Sequence, residues 1–181
     1  MSAAPIALTP SASTLPSPSP SCASTALSAR GRNVLFLDVD GVLSPFGDRA
    51  FAPRCMAELV RVVRASEALI VLSSTWRTSS YTLRAVNERL AAVDLAHCFD
   101  VTPQLAGLGA GDTRVMEILQ WLGSAAGQGV RQWVAVDDMN LAWKHEQTMR
   151  GHFVRTLSHE GLTAANADEA MALLAFTASP Q

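Results

Sequence analysis

Lysine is almost missing from this chain: Lys144 is the only one, and the rest of the 14 basic residues are arginines. Positive charge is not in excess either. Lys plus Arg is 14 against 16 Asp plus Glu, a net of -2, so no overall basic field exists to hold nucleic acid non-specifically. Cysteine is scarce, and Cys22, Cys55 and Cys98 show no Cys-x-x-Cys spacing. That argues against a disulfide framework and against a structural zinc site. Long apolar runs are also lacking. None comes near the roughly 20 residues a membrane span needs, so neither a transmembrane segment nor a membrane partner is expected. What remains is a globular composition, 49% hydrophobic and 17% charged, which excludes wholesale disorder. A length of 181 residues fits one domain.

Residues 1–30 stand apart. Ser, Thr, Pro and Ala dominate them, five of the nine prolines fall there, and Arg30 is their only charge. Such a segment has too little bulky apolar surface to offset the entropy of ordering it, so it reads as a disordered tail ahead of a domain at 31–181. It lacks acids and is rich in Ser, as transit peptides are, but it is neither Arg-rich nor amphipathic. It has neither the basic start nor the continuous apolar centre of a secretory signal, so it reads as a linker, with a targeting segment as the alternative, and the expected location is the cytoplasm.

Beyond the tail, short apolar runs alternate with amphipathic stretches. Val34–Leu37 and Ala68–Leu72 are apolar on both faces and read as buried strands, as does Gln132–Val136. Cys98–Val101 and Phe153–Thr156 are weaker strands. Pro53–Ser66 reads as a helix with Pro53 at its start and Met56, Leu59, Val60 and Val63 inward. Ser80–Ala92 is a second helix, with Leu83, Val86 and Leu90 on one side. Asp112 or Thr113 can cap a third that runs to Leu122, with Val115, Ile118, Leu119 and Leu122 inward. A last helix covers about 165–176, with Ala170, Met171, Leu173 and Leu174 as its apolar positions. Alternating strands and helices predict a parallel sheet in a three-layer, Rossmann-like α/β fold.

In open parallel sheets ligands bind beyond the carboxyl ends of the strands. After the first strand come Asp38, Asp40 and Gly41. After the second come Ser73, Ser74, Thr75, Trp76 and Arg77. After the fourth come Asp137, Asp138 and Asn140. Taken singly, each group has an ordinary explanation as a turn or a helix cap. Together, at the ends of three strands, they describe a site. Two aspartates 4 Å apart at an effective dielectric of about 20 repel by roughly 4 kcal/mol, so a neutralising cation is required. A hard divalent ion with oxygen ligands is the simple answer, and Mg²⁺ takes carboxylates, waters and a phosphate. Hydroxyls and an arginine beside it suit phosphate oxygens.

At this point the sequence resembles the haloacid dehalogenase superfamily of aspartate-nucleophile phosphohydrolases. The resemblance rests on Leu35-Phe36-Leu37-Asp38-Val39-Asp40-Gly41-Val42-Leu43, then Ile70-Val71-Leu72-Ser73-Ser74-Thr75-Trp76-Arg77, then Val134-Ala135-Val136-Asp137-Asp138. It spans about residues 33–176. Within the superfamily the chain looks most like the domain of Swiss-army-knife RNA repair proteins. The Ser-Ser-Thr-Trp-Arg form of the second motif points there, with Trp121 before the fourth strand and Gly161-Leu162-Thr163 ahead of the last helix.

The resemblance implies a role for each residue. Asp38 would be the nucleophile, giving an aspartyl-phosphate, and Asp40 the general acid and then the base. Gly41 leaves room for a tight turn. Asp38, the Asp40 carbonyl and Asp138 would hold Mg²⁺, with Asp137 bracing. Ser74 would bind the phosphoryl group, with Ser73 one register step behind. The family usually has a lysine at the start of the helix before the fourth strand. Here Thr113-Arg114 stands in its place, so Arg114 is read as the replacement and Arg77 as a second candidate. An arginine fork suits phosphate but is not a lysine point charge.

Several other residues are read as structural. His145, His152 and His159 recur every seven residues, yet Gly151 and the strand at Phe153 interrupt any helix there. Trp133 and Trp143 read as packing groups, Arg61 and Arg64 as a solvated face, and Cys98 as buried and inert. Ser44–Pro53 and Thr78–Gly111 are too short for a substantial cap domain, so the site is open to a bulky substrate. The favoured function is hydrolysis of a phosphate on a nucleotide or on an RNA or DNA end. The alternatives are a phosphoprotein or small metabolite as substrate, or a binding module that turns nothing over.

Overall fold

A computed structural model describes residues 28–47, 51–106 and 110–175. Strands and helices alternate as β1 (Asn33–Leu37), α1 (Pro53–Ser66), β2 (Leu69–Leu72), α2 (Ser80–Ala91), β3 (Asp100–Val101) and α3 (Ala110–Leu122). Then follow β4 (Gln132–Asp137), α4 (Glu146–Met149), β5 (Phe153–Arg155) and α5 (Ala164–Ala175). A short 3-10 turn at Thr75–Thr78 links β2 to α2. The five strands form one sheet in the order β3-β2-β1-β4-β5, all parallel. Leu37 pairs with Leu72 on one side and Val136 on the other. The strand order therefore reverses at β1, and the crevice between the carboxyl ends of β1 and β4 is where such folds bind ligands.

Side chains of a strand alternate between its two faces, and both faces of this sheet are covered. Leu35 and Leu37 of β1 pack on one side with Leu59 and Val62 of α1, Leu90 of α2 and Leu174 of α5. Val34 and Phe36 pack on the other with Val115, Ile118 and Trp121 of α3, and with Leu141 and Met149. Phe36 meets the edges of Trp121 and Trp133 at centroid distances of 5.4 and 5.8 Å. The three-layer α/β architecture read from the alternation is the one found.

The differences are local and have physical reasons. On α1 the buried set is Cys55, Met56, Leu59 and Val62, and Val60 and Val63 are only partly covered. The apolar stripe is rotated by about one residue; α5 packs beside α1, and Cys55 turns toward the Glu160 carbonyl. The last residue read into the final helix, Phe176, lies outside the described residues, as does most of the tail. Ala29, read as part of the tail, is fully buried against the α3 side of the sheet. Helix α3 starts at Ala110, so Asp112 sits in its first turn rather than at its cap. Trp143 is a clear correction: it is 78% exposed, while its neighbour Leu141 takes the buried position. Trp133 does pack, stacking on His152 at 4.2 Å. Helix α4 ends before His152, so the seven-residue histidine spacing carries no common face. Burial pushes the Cys98 thiol up to about 12, which leaves it inert at neutral pH.

Gly161-Leu162-Thr163 has a structural role. Leu162 donates its N–H to the Val42 carbonyl at 2.8 Å. Asn166 accepts from the Thr163 backbone at 3.1 Å and opens α5. Gly161 has φ +70, and a Cβ there would lie 2.6 Å from the Val42 oxygen and 2.7 Å from Pro45 Cγ. Gly161→Ala adds left-handed backbone strain to an overpacked contact, so it should lower the unfolding free energy by roughly 2–5 kcal/mol in urea melts. A loss well under about 1 kcal/mol would show that the turn carrying Val42 yields freely.

Candidate active site

The carboxylates reach the crevice because β1 and β4 stop side by side. Asp38 extends the ladder one step past β1, donating its N–H to the Val136 carbonyl at 3.1 Å. The chain then turns sharply. The Val39 carbonyl accepts from Val42, Leu43 and Ser44, and Gly41 donates to the Ser44 carbonyl. Val39, Val42 and Leu43 are fully buried, so the turn is anchored by its own apolar side chains. Gly41 has φ +73, and a Cβ on it would run into the Asp138 side chain. Glycine is thus required both by the turn and by the approach of the β4 end.

Asp137 ends β4 and is buried. Its Oδ1 accepts from the Met139 N–H at 2.9 Å, while Oδ2 lies 2.5 Å from Arg114 Nη1. Asp137 thus serves the turn that follows β4 through one oxygen and faces Arg114 with the other. Asp138 is half-exposed and accepts from the Ser158 hydroxyl at 2.7 Å. Arg114 reaches in from α3, fully covered, with Nη1 also 3.5 Å from Asp38 Oδ1. It stands as a cation between the first and fourth strand ends. Asp38, Asp137 and Asp138 each present a carboxylate oxygen, and these oxygens lie within 4.8 Å of one another. Octahedral Mg²⁺–oxygen bonds of about 2.1 Å separate opposite ligands by about 4.2 Å, so the cluster could hold a metal ion with little contraction. Asp40 is not in that cluster. Its Oδ2 accepts from the Trp76 indole N–H at 2.9 Å.

Burial dominates the electrostatics. It holds the Asp38 carboxyl above the usual range, against the pull of the Arg114 charge, the Ser74 hydroxyl and the Val39 N–H, while Asp138 pushes further up. Burial likewise pushes Asp137 up to about 7, with Arg114 opposing and Asp38 adding. A cation would relieve both groups, which is the electrostatic face of the metal fit.

At the end of β2, Ser73 donates its N–H to the Leu37 carbonyl at 2.9 Å. Both serines are buried, but their hydroxyls differ. That of Ser74 acts on Asp38, and it also accepts from the Trp76 N–H at 3.4 Å. That of Ser73 is buried without a hydrogen-bond partner. Arg77 is held by carbonyls and a carboxylate around it. Its Nε donates to the Thr102 carbonyl at 2.9 Å, Nη1 to Ser74 at 2.6 Å and Nη2 to Pro103 at 3.2 Å, and Glu117 lies 2.6 Å from Nη2. It braces the β2 and β3 ends. A hollow of about 260 Å³ opens beside Arg114, lined in part by Thr75, Gln104, Thr113 and Met139.

Sequence reasoning missed four supporting residues. Trp76 lay inside a quoted motif without a role. Glu117 was signalled by an acid three residues after Arg114 in an otherwise apolar stripe. Ser158 and Thr156 follow β5, a weaker apolar run of the sequence. The Thr156 hydroxyl donates to the Gly41 carbonyl at 2.8 Å and so ties that end to the turn after β1.

A parallel sheet that gathers carboxylates from β1 and β4 around one buried cation, with a hydroxyl from β2, is the arrangement of a haloacid dehalogenase-type domain. Within that class the match is narrower: residues 34–167 fit the family described as the HAD domain in Swiss Army Knife RNA repair proteins, and the chain belongs to it. Comparison with the curated proteins and with the solved structures gave no match.

The Asp137 shift has a stability consequence. Its folded value, about 7, lies above its ordinary value of 3.8, so the folded state holds the extra proton between them. The stabilisation is complete below the lower value and is lost as pH rises through the higher one. In chelator, urea stability should fall as pH is raised through this window, and Asp137→Asn should flatten the fall. Equal slopes for the two proteins would show that Asp137 does not titrate there.

Proposed function

We propose that this domain is a Mg²⁺-dependent phosphomonoesterase acting on a nucleotide or on the phosphorylated end of a nucleic acid. The observation that carries the proposal is the setting of Asp38: buried in the crevice, 3.5 Å from Arg114 Nη1, within the influence of the Ser74 hydroxyl. Asp38 Oδ attacks phosphorus, and the bond to the leaving oxygen breaks as the Asp38–phosphorus bond forms. Asp40 gives that oxygen its proton. As a carboxylate it then takes a proton from the water that attacks phosphorus and frees Asp38. Arg114 and Ser74 hold phosphoryl oxygens as their charge grows. Asp38, Asp138 and the Asp40 carbonyl would ligate Mg²⁺, with Asp137 bracing between Arg114 and the Met139 N–H. Bound Mg²⁺ would neutralise the phosphoryl oxygens and keep the carboxylates charged.

Two features support a nucleic-acid end over a small metabolite. Among the described residues no cap covers the crevice, and the family is named for RNA repair proteins. The catalytic unit is residues 31–181, with 1–30 as a tail ahead of it. No described helix is long and apolar enough to cross a membrane. A cytoplasmic setting suits the unbridged thiol of Cys98.

The test is phosphate release from nucleotides, 3′- and 5′-phosphorylated oligonucleotides, phosphopeptides and sugar phosphates, with Mg²⁺ and with chelator. Release should need Mg²⁺, favour the oligonucleotides, and vanish in Asp38→Asn. A preference for phosphopeptides would overturn the substrate class, and activity that survives Asp38→Asn would overturn the mechanism. Arg114→Met should cost about 10²–10³-fold in kcat, as loss of a preorganised donor to the phosphoryl group does, and Arg114→Lys should cost less. Circular dichroism checks that each variant is folded.

A further inference from the structure

We propose that Trp76 is a positioning residue for the proton-transfer step, holding Asp40 through its indole N–H; this rests on the phosphatase reading of the site. Indole Nε1 donates to Asp40 Oδ2 at 2.9 Å. An indole nitrogen is a donor only, so it neither takes a proton from Asp40 nor ligates a metal. What it does is fix the carboxyl. A protonated Asp40 that accepts at Oδ2 carries its proton on Oδ1, the oxygen left for the substrate. Without that donor, either oxygen can hold the proton, and the carboxyl is free to rotate away from the leaving group.

The ring that bears this donor is itself held from several sides. Phe51 meets it edge-on at a centroid distance of 5.3 Å. The Trp76 N–H donates to the Ser74 hydroxyl at 3.4 Å, and its carbonyl accepts from the Thr82 hydroxyl at 2.5 Å. The ring packs against the core shared by β1, α1 and α2. Trp76 is two residues from Ser74, the hydroxyl beside the nucleophile, and α2 follows directly. One short turn therefore sets both the phosphate-side hydroxyl and the acid that serves the leaving group. Elsewhere a tryptophan in such a turn would only pack; here its one polar atom is aimed at the second aspartate of the first motif, 36 residues away.

A role in proton delivery differs from a structural one in its dependence on the leaving group. A 4-nitrophenolate leaves without a proton, whereas the ribose oxygen of a nucleoside 5′-monophosphate needs one. The reading is kcat/KM, which reports steps up to formation of the aspartyl-phosphate and so excludes its later hydrolysis. Trp76→Phe should lower kcat/KM for the nucleotide by about 10–100-fold, a part of what general acid catalysis supplies, and that for 4-nitrophenyl phosphate by about threefold or less. Phe51→Leu, which keeps the N–H but weakens the packing, should leave the ratio between the two esters unchanged. If Trp76→Phe folds poorly, replacement by 3-(3-benzothienyl)alanine keeps the ring shape and removes only the N–H, and the same selective loss is expected.

Equal losses on both esters, with release still dependent on Asp38, would overturn the role of Trp76 and leave the phosphatase reading standing. Release that persists in Asp38→Asn, or no release from either ester by the wild-type protein, would overturn both. A separate reading needs no turnover. In the indole ¹H–¹⁵N spectrum the Trp76 proton should lie downfield and move upfield in Asp40→Ala. An unmoved resonance would overturn the contact.

Discussion

Carboxylates crowded into a covered crevice are the constraint on which the rest of this structure depends. Asp38 and Asp137 are buried at adjacent strand ends, and Asp138 stands beside them with its oxygen in the same cluster. A parallel sheet makes this crowding unavoidable, because neighbouring strands end on the same side. The charge is balanced in part by one arginine delivered from α3, whose guanidinium spans the two buried groups. Burial outweighs the pull of Arg114, so the Asp38 and Asp137 carboxyls are both raised. A divalent cation and a phosphate would complete the balance, one drawn by the carboxylates and the other by the arginine.

Around that centre, each connection after a strand has a separate task. The turn after β1 presents Asp38 and Asp40 and is locked by three buried aliphatic side chains. The turn after β2 supplies Ser74, then Trp76 to hold Asp40, then Arg77 to clamp the ends of β2 and β3 against Glu117 of α3. The segment after β5 contributes Thr156 and Ser158, which fasten the Gly41 carbonyl and the Asp138 carboxylate. Most of the polar residues here support others. A few groups face the crevice, and a second set holds them by hydrogen bonds that cross between strand ends.

Much of this was legible in the sequence. Apolar runs of four or five residues between amphipathic stretches define strands and helices, because a strand covered on both faces needs apolar residues at every position. Asp38, Asp137 and Arg114 converge as their positions at strand ends and on α3 suggested. Less was legible where a side chain's direction depends on its neighbours. Arg77 follows a strand end just as a phosphate ligand would, yet Glu117 and three carbonyls claim it. Trp143 has the composition of a core residue but stands in solvent, because Leu141 fills the space under that segment.

The sequence by itself determined the layering of the fold and which strand ends carry the polar residues of the crevice, since both follow from local periodicity and from where polar residues interrupt it. It did not determine which polar group faces which. That depends on contacts between residues far apart in the chain, such as Trp76 with Asp40, Arg77 with Glu117 and Arg155 with the Asp138 carbonyl. Only the tertiary structure decides them, because a buried donor takes whichever acceptor the packing of strands and helices brings within about 3 Å, and no local pattern encodes that distance.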